Sequence, residues 1–266
     1  MIIWNSFTLD SKKKDHTNRF SYTNNLLQQE RSKESFNLNN LKKREIYFAQ
    51  YNFFKDKIKN NSLFLSSGYG YYEYLLKRKY KNFYISDKEK FYLNYYKKNK
   101  MTNYIQIDVL KEKDFKKIKF KLRSIILNNV EYLFSDKQLL KCLKNIKNIS
   151  NHNTTVYVIF RSRFYSFLTF FDKFLLPTEL FLKKIVLKFI GKKRFLNKNF
   201  HGYRRKNTDF ENILKKNFKI IDTSYFLHSL DYNRSIIIKK LKLGRLLSYL
   251  FLKSHPYLNI YTLKIK

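Results

Sequence analysis

Five short apolar runs alternate with segments of helical periodicity, and that alternation leaves few folds open to the chain. The runs are Leu63 to Leu65, Phe83 to Asp87, Tyr104 to Asp108, Ser124 to Asn129 and Thr155 to Phe160. Helical patterns at Tyr72 to Arg78, Glu89 to Tyr96 and Asp136 to Ile149 fall between them. Strands that alternate with helices of about ten residues predict a parallel sheet with helices on both faces. Ahead of the first run, apolar residues at Ile46, Phe48, Ala49, Phe53, Phe54 and Ile58 predict a helix over Leu41 to Lys59 that stops at Asn60-Asn61.

Ligands of such sheets bind beyond the carboxyl ends of the strands. The first run passes directly into Ser66-Ser67-Gly68-Tyr69-Gly70 before helical residues resume. A strand, a tight glycine turn and a helix let the backbone approach a ligand closely. The chain holds only five glycines, so two of them one residue apart after a strand carry weight. Ordinary strand-to-helix turns use glycine too. The second and third runs each end on an acid, Asp87 and Asp108, and the fourth ends at Asn128-Asn129. Asp87 follows Gly70 by 17 residues, near the ~20-residue spacing at which a carboxylate receives ribose hydroxyls. All these residues are expected to converge at one edge of the sheet.

With these pieces in order, residues 45 to 266 resemble a class I S-adenosylmethionine-dependent methyltransferase. Leu63 to Gly70 looks like that family's glycine-rich first motif. Asp87 matches the acid that binds the ribose, and Asp108 in Ile-Asp-Val-Leu matches the acid that reaches the adenine amino group. Arg123 to Leu133 resembles the fourth-strand motif, with Tyr132 where a histidine often stands. Tyr203 to Asp222 resembles the helix and sixth strand, and the alternating Leu258 to Ile265 the antiparallel seventh. The resemblance implies a Rossmann-like α/β fold: a seven-stranded, mostly parallel sheet with helices on both faces and an antiparallel last strand. It implies S-adenosyl-L-methionine as cofactor, held by Ser66, Ser67, Gly68, Tyr69, Gly70, Glu73, Asp87, Asp108, Val109, Asn128 and Asn129. The sequence departs from the family where an acid and a first glycine normally stand, since it reads Phe64-Leu65-Ser66 there. Glu73 is a substitute carboxylate for the cofactor's ammonium, or else a favourable charge in a first helical turn.

At 266 residues the chain accommodates one domain with extensions. Residues 1–40 are polar and read as an N-terminal extension, a mobile arm or loosely packed helices; 41–266 are expected to form the methyltransferase-like domain. Within it, residues 161–205 hold apolar clusters broken by lysines and Pro177. They read as a helical lid over the acceptor pocket, or as an amphipathic surface for a partner or for peripheral membrane contact. A basic, apolar helix is expected over Ile236 to Leu252. The formal charge of +36 invites a nucleic-acid (RNA) or anionic-membrane reading, yet the basic residues are spread along the whole chain. A solvated surface and an AT-rich codon usage account for them as well. The single cysteine, Cys142, lies in Leu-Leu-Lys-Cys-Leu and reads as a buried helix residue. One cysteine, a polar start and no ~20-residue apolar window suggest a soluble, cytoplasmic protein.

Methyl transfer from a sulfonium depends mainly on alignment and the exclusion of water, and an oxygen or nitrogen acceptor also needs a base. His201 and Tyr203, in Phe-His-Gly-Tyr-Arg-Arg, are the candidate catalytic residues, with His228 and Asp231 further on. Arg204 and Arg205 beside them offer carboxylate or phosphate binding, though a surface histidine in a basic loop is the plainer alternative. No His or Cys cluster has metal-ligand spacing, so no metal is expected. The function expected is methyl transfer to a small-molecule, sugar or glycan-type acceptor. RNA methylation is one alternative, and a degenerate fold kept as a binding subunit is another.

Overall fold

The computed structural model describes residues 5–10, 12, 38–42, 45–80, 82–101, 103–161, 178, 181–182, 185, 198–228 and 256–266. In chain order these form β1 (Asn5–Asp10), α1 (Leu38–Lys42), α2 (Glu45–Phe54), β2 (Ser62–Leu65), α3 (Tyr71–Lys77), β3 (Phe83–Asp87) and α4 (Lys90–Lys98). Next come β4 (Tyr104–Gln106), α5 (Glu112–Phe115), β5 (Ser124–Leu127), a 3-10 turn (Glu131–Leu133), α6 (Asp136–Ile149) and β6 (Thr155–Arg161). After the insert follow β7 (Lys198–Arg204), α7 (Asn207–Lys215), β8 (Phe218–His228) and β9 (Pro256–Ile265).

Seven strands form one sheet in the order β4-β3-β2-β5-β6-β9-β8. The pairs β4–β3, β3–β2, β2–β5 and β5–β6 are parallel, while β9 runs antiparallel to both β6 and β8. The expected fold, with its antiparallel last strand, is therefore the observed one. The strand order reverses between β2 and β5, the point at which sheets of this kind leave a crevice at the carboxyl ends of their strands. Every residue of β2 and β5 is buried, which is why both read as continuous apolar runs without alternation.

Two cores sandwich the sheet. On one face Leu63, Leu65, Ile125, Leu127, Val156 and Val158 pack with Leu139, Cys142, Leu143 and Ile146 of α6 and Phe210 of α7. The helix positions recur at the three- and four-residue spacing of a single buried stripe. A capping box starts α6: Ser135 Oγ accepts from the Gln138 N–H at 3.3 Å and Gln138 Oε1 from the Ser135 N–H at 3.2 Å, an arrangement worth about 1 kcal/mol. Cys142 is fully buried, and burial pushes its thiol pKa up, as befits a packing residue. On the other face Phe53, Phe54, Phe64, Tyr72, Phe83, Tyr96 and Tyr157 form an aromatic core under α2, α3 and α4.

Two strands escaped the sequence. Asn5–Asp10 falls in the stretch expected to be a mobile arm or loosely packed helices, and Lys198–Arg204 in the one expected to be a helical lid. They pair in parallel, with a register shift between Phe7 and Thr8. Most of residues 1–40 and 161–205, and the helix expected over 236–252, lie outside the described residues. Among the described residues no helix is long and apolar enough to cross a membrane.

Candidate active site

The turn after β2 bends because three of its five residues are left-handed: Ser66 (φ 57°), Gly68 (φ 56°) and Gly70 (φ 64°). Serine there costs more than glycine, yet Ser66 keeps the conformation at the position where the resembled motif has its first glycine. A Cβ on Gly70 would lie 3.2 Å from Met101 Cε, whereas a Cβ on Gly68 would meet nothing within 4 Å. Gly70 is thus fixed by packing, and Gly68 opens onto free space. The turn is tied down from several sides. The Ser67 N–H donates to Ser86 O at 2.9 Å and the Gly70 N–H to Ser67 O at 2.9 Å. The Tyr96 hydroxyl donates to Gly68 O. Phe64, at the missing acid's place, is wholly buried against Phe83, with ring centroids 4.6 Å apart. Tyr69 is buried and packs its ring against Tyr71, Tyr92 and Tyr95.

Asp87 ends β3 beside this turn. Its Oδ2 accepts from the Gly68 N–H at 3.0 Å and its Oδ1 from the Glu89 N–H at 3.1 Å. Burial raises its pKa to about 6, against the pull of those two backbone donors. On the neighbouring strand the Ile107 N–H donates to Asp87 O at 3.2 Å, which sets Asp108 at the same edge. Asp108 Oδ1 accepts from the Leu110 N–H at 3.1 Å, and Lys111 Nζ stands 3.9 Å from its Oδ2. Val109 is buried, and its carbonyl accepts from Asn145 Nδ2 at 3.0 Å.

A second cluster lies between β2 and β5. Asn128 Nδ2 donates to Glu73 Oε1 at 2.6 Å and lies 3.5 Å from Ser67 Oγ, while its Oδ1 accepts from the Tyr72 hydroxyl. Glu73 is fully buried with neutral partners, and burial lifts its pKa to about 8. An acid with that environment is mainly protonated at neutral pH and ionises when a cation arrives. Next to it Asn129 (φ 37°) accepts at Oδ1 from Gln50 Nε2 of α2 at 3.0 Å and from Arg161 Nε of β6 at 2.9 Å.

The candidate catalytic residues sit on β7. His201 falls at the register shift between Phe200 and Gly202, and Tyr203 is buried. Arg205 does not offer the anion site expected of it. Its Nε donates to Asp136 Oδ1 at 2.7 Å, Nη1 to Glu131 O at 2.8 Å and Nη2 to Phe134 O, so its guanidinium clamps the loop before α6. The side chain of His228, and all of Asp231, fall outside the described residues. Sequence reasoning missed Tyr72, Tyr96, Gln50 and Arg161. A charge directly after the apolar run Thr155 to Phe160 was a usable signal for Arg161; nothing marked the two tyrosines.

By sequence, no family profile and no curated protein matches the chain. Solved structures do. A methyltransferase from Archaeoglobus fulgidus dependent on S-adenosylmethionine superposes with a TM-score of 0.52 at 14% identity, over 90% of this chain and 98% of that one. The PH0226 protein from Pyrococcus horikoshii OT3 superposes at 0.50 with 12% identity, over 87% and 94%. Mitomycin 7-O-methyltransferase MmcR superposes at 0.50 with 9% identity, over 90% of this chain and 60% of that one. The chain has the class I methyltransferase fold.

Proposed function

We propose that the protein is an S-adenosylmethionine-dependent methyltransferase acting on a small-molecule acceptor. The observation that carries this is the cradle at Gly68. A left-handed glycine faces free space at the end of β2, its N–H held by the buried Asp87 and its turn tied through Ser67 and Asn128 to the buried Glu73, where the strand order reverses. These residues fit the cofactor. Asp87 retains lone pairs for ribose hydroxyls, Asp108 stands one strand further out for the adenine amino group, and Glu73 takes the ammonium in place of the missing first-motif acid. Ser66, Ser67, Tyr69 and Gly70 shape the turn, and Val109, Asn128 and Asn129 would hold the adenine and methionyl ends of the cofactor.

When bound, the cofactor supplies an electrophilic methyl group on a sulfonium. The chain's own work is alignment and exclusion of water. Tyr72 and Asn128 hold Glu73 in one orientation, so the cation meets an acid already aimed at it. Strand β7 contacts the 3-10 turn after β5, which supports His201 as the base for an oxygen or nitrogen acceptor, with Tyr203 fixing the strand. The name of the mitomycin enzyme points to a small acceptor on the same fold.

Calorimetric titration with S-adenosylmethionine tests the reading. Binding is expected, and Asp87→Asn, which keeps an acceptor for the Gly68 N–H, should weaken it by about 1–3 kcal/mol. Absence of heat at millimolar cofactor rejects the enzyme and leaves a binding subunit on this fold.

A further inference from the structure

Arg161 closes β6 on the face it shares with Tyr157 and Ile159, above the aromatic core. Its main-chain N–H donates to Glu131 Oε1 at 3.0 Å and its Nε to Asn129 Oδ1 at 2.9 Å. That amide oxygen is shared with Gln50 Nε2. The two terminal amino groups of the guanidinium make no hydrogen bond among the described residues, and no carboxylate there comes within ion-pair range of them. Burial works against the charge; the phenols of Tyr47, Tyr257 and Tyr132 and the carboxylate of Glu131 work for it, with the net balance towards the cation.

A half-buried guanidinium pinned by its Nε, with its terminal fork unspent, is pre-organised to take an anion in place of water. The planar fork suits the two oxygens of a carboxylate or phosphate, which a lysine at this position would not match. The location agrees. β6 lies beyond β5 from the turn and from Asp87, two strands from β2 or about 10 Å. An anion on Arg161 therefore sits across the crevice from the ribose site. Arg205, one of the two arginines to which the sequence gave anion-binding capacity, is already occupied.

We propose that Arg161 anchors an anionic group, carboxylate or phosphate, on the β6 side of the crevice. The anion belongs to the acceptor or is the carboxylate of the cofactor itself, and in both cases the assignment builds on the methyltransferase reading. Phenylglyoxal modification of the full chain, followed peptide by peptide, separates these sources, with the exposed Arg78 as internal control. S-adenosylhomocysteine, 5′-methylthioadenosine, inorganic phosphate and benzoate are the probes.

If the anion is the cofactor's, S-adenosylhomocysteine slows modification of Arg161 about tenfold and 5′-methylthioadenosine, which lacks the carboxylate, does not. If it is the acceptor's, phosphate or benzoate slows it on top of saturating S-adenosylhomocysteine. Protection of Arg161 no greater than that of Arg78 by every probe overturns the proposal. Failure of S-adenosylhomocysteine to bind defeats the cofactor reading alone, because protection by phosphate and benzoate is then read on the protein without it. Thermal unfolding gives a second measurement. Phosphate should raise Tm more for wild type than for Arg161→Gln, with Arg161→Lys between them, and an equal rise in all three also overturns the assignment.

Discussion

The two faces of the sheet are packed with different chemistry. The face under α6 and α7 is chiefly aliphatic, and its Tyr261 sends its hydroxyl away to Glu211 at 3.2 Å. The face under α2, α3 and α4 is built of phenylalanine and tyrosine, and two of its wholly buried tyrosines reach the crevice: Tyr72 to Asn128 and Tyr96 to Gly68. Apart from Val109, the first face supplies stability alone. The other supplies stability and, through phenols that are apolar along the ring and polar at the tip, the buried hydrogen bonds that hold the ligand-side turn.

The comparison fails most plainly if a deletion on the aliphatic face disturbs binding. Phe210 is fully buried and stacks on Phe160 with centroids 4.1 Å apart. Phe210→Ala should cost about 3–5 kcal/mol in denaturant unfolding and leave cofactor affinity, measured by calorimetry, as it was. An equal loss of affinity would show that both faces serve the site.

Next in size is an opposite effect on the aromatic face. Glu73 has a folded pKa of about 8, well above the ~4.3 of an unfolded glutamate. The folded state therefore holds a proton that the unfolded chain gives up, and stability falls as pH rises from about 4.3 to 8. Glu73→Gln keeps an acceptor for Asn128 and removes that penalty. The variant should match wild type near pH 4 and exceed it by roughly 3 kcal/mol at pH 7. Its cofactor affinity should drop, the usual exchange of function for stability. Greater stability with unchanged affinity would remove Glu73 from the ammonium site.

Much of this is legible in the sequence. β3 and α6 fall where the sequence put them, because Phe83 to Asp87 is an uninterrupted run that ends on an acid and Asp136 to Ile149 carries a clean apolar stripe behind Ser135. Asp87 meets Gly68 because strand ends in parallel sheets converge. What stayed hidden was whatever depends on pairing between distant segments. Nothing in Asn5–Asp10 announces a strand, since its partner lies almost two hundred residues on. Arg205 and Arg161 are alike in sequence, and only the carbonyls around one and the phenols around the other separate a clamp from a free fork. Among this many tyrosines, nothing local distinguishes the two whose hydroxyls turn inward.

The finest test of the contrast removes a single oxygen from each face. Tyr96 has its phenol pKa raised by burial and by the neighbouring Asp87, so it remains a donor to Gly68 O at every physiological pH. Tyr96→Phe leaves the ring in place and strips that carbonyl of its partner, at a cost of about 1–2 kcal/mol. Because the same peptide segment holds Gly68 against Asp87, the loss should appear in cofactor affinity as well as in unfolding. Tyr261→Phe gives up the bond to Glu211 on the other face and should leave affinity untouched. If the two variants weaken the cofactor equally, the hydroxyls of the aromatic face have no special tie to the crevice, and the turn keeps its shape through backbone bonds alone.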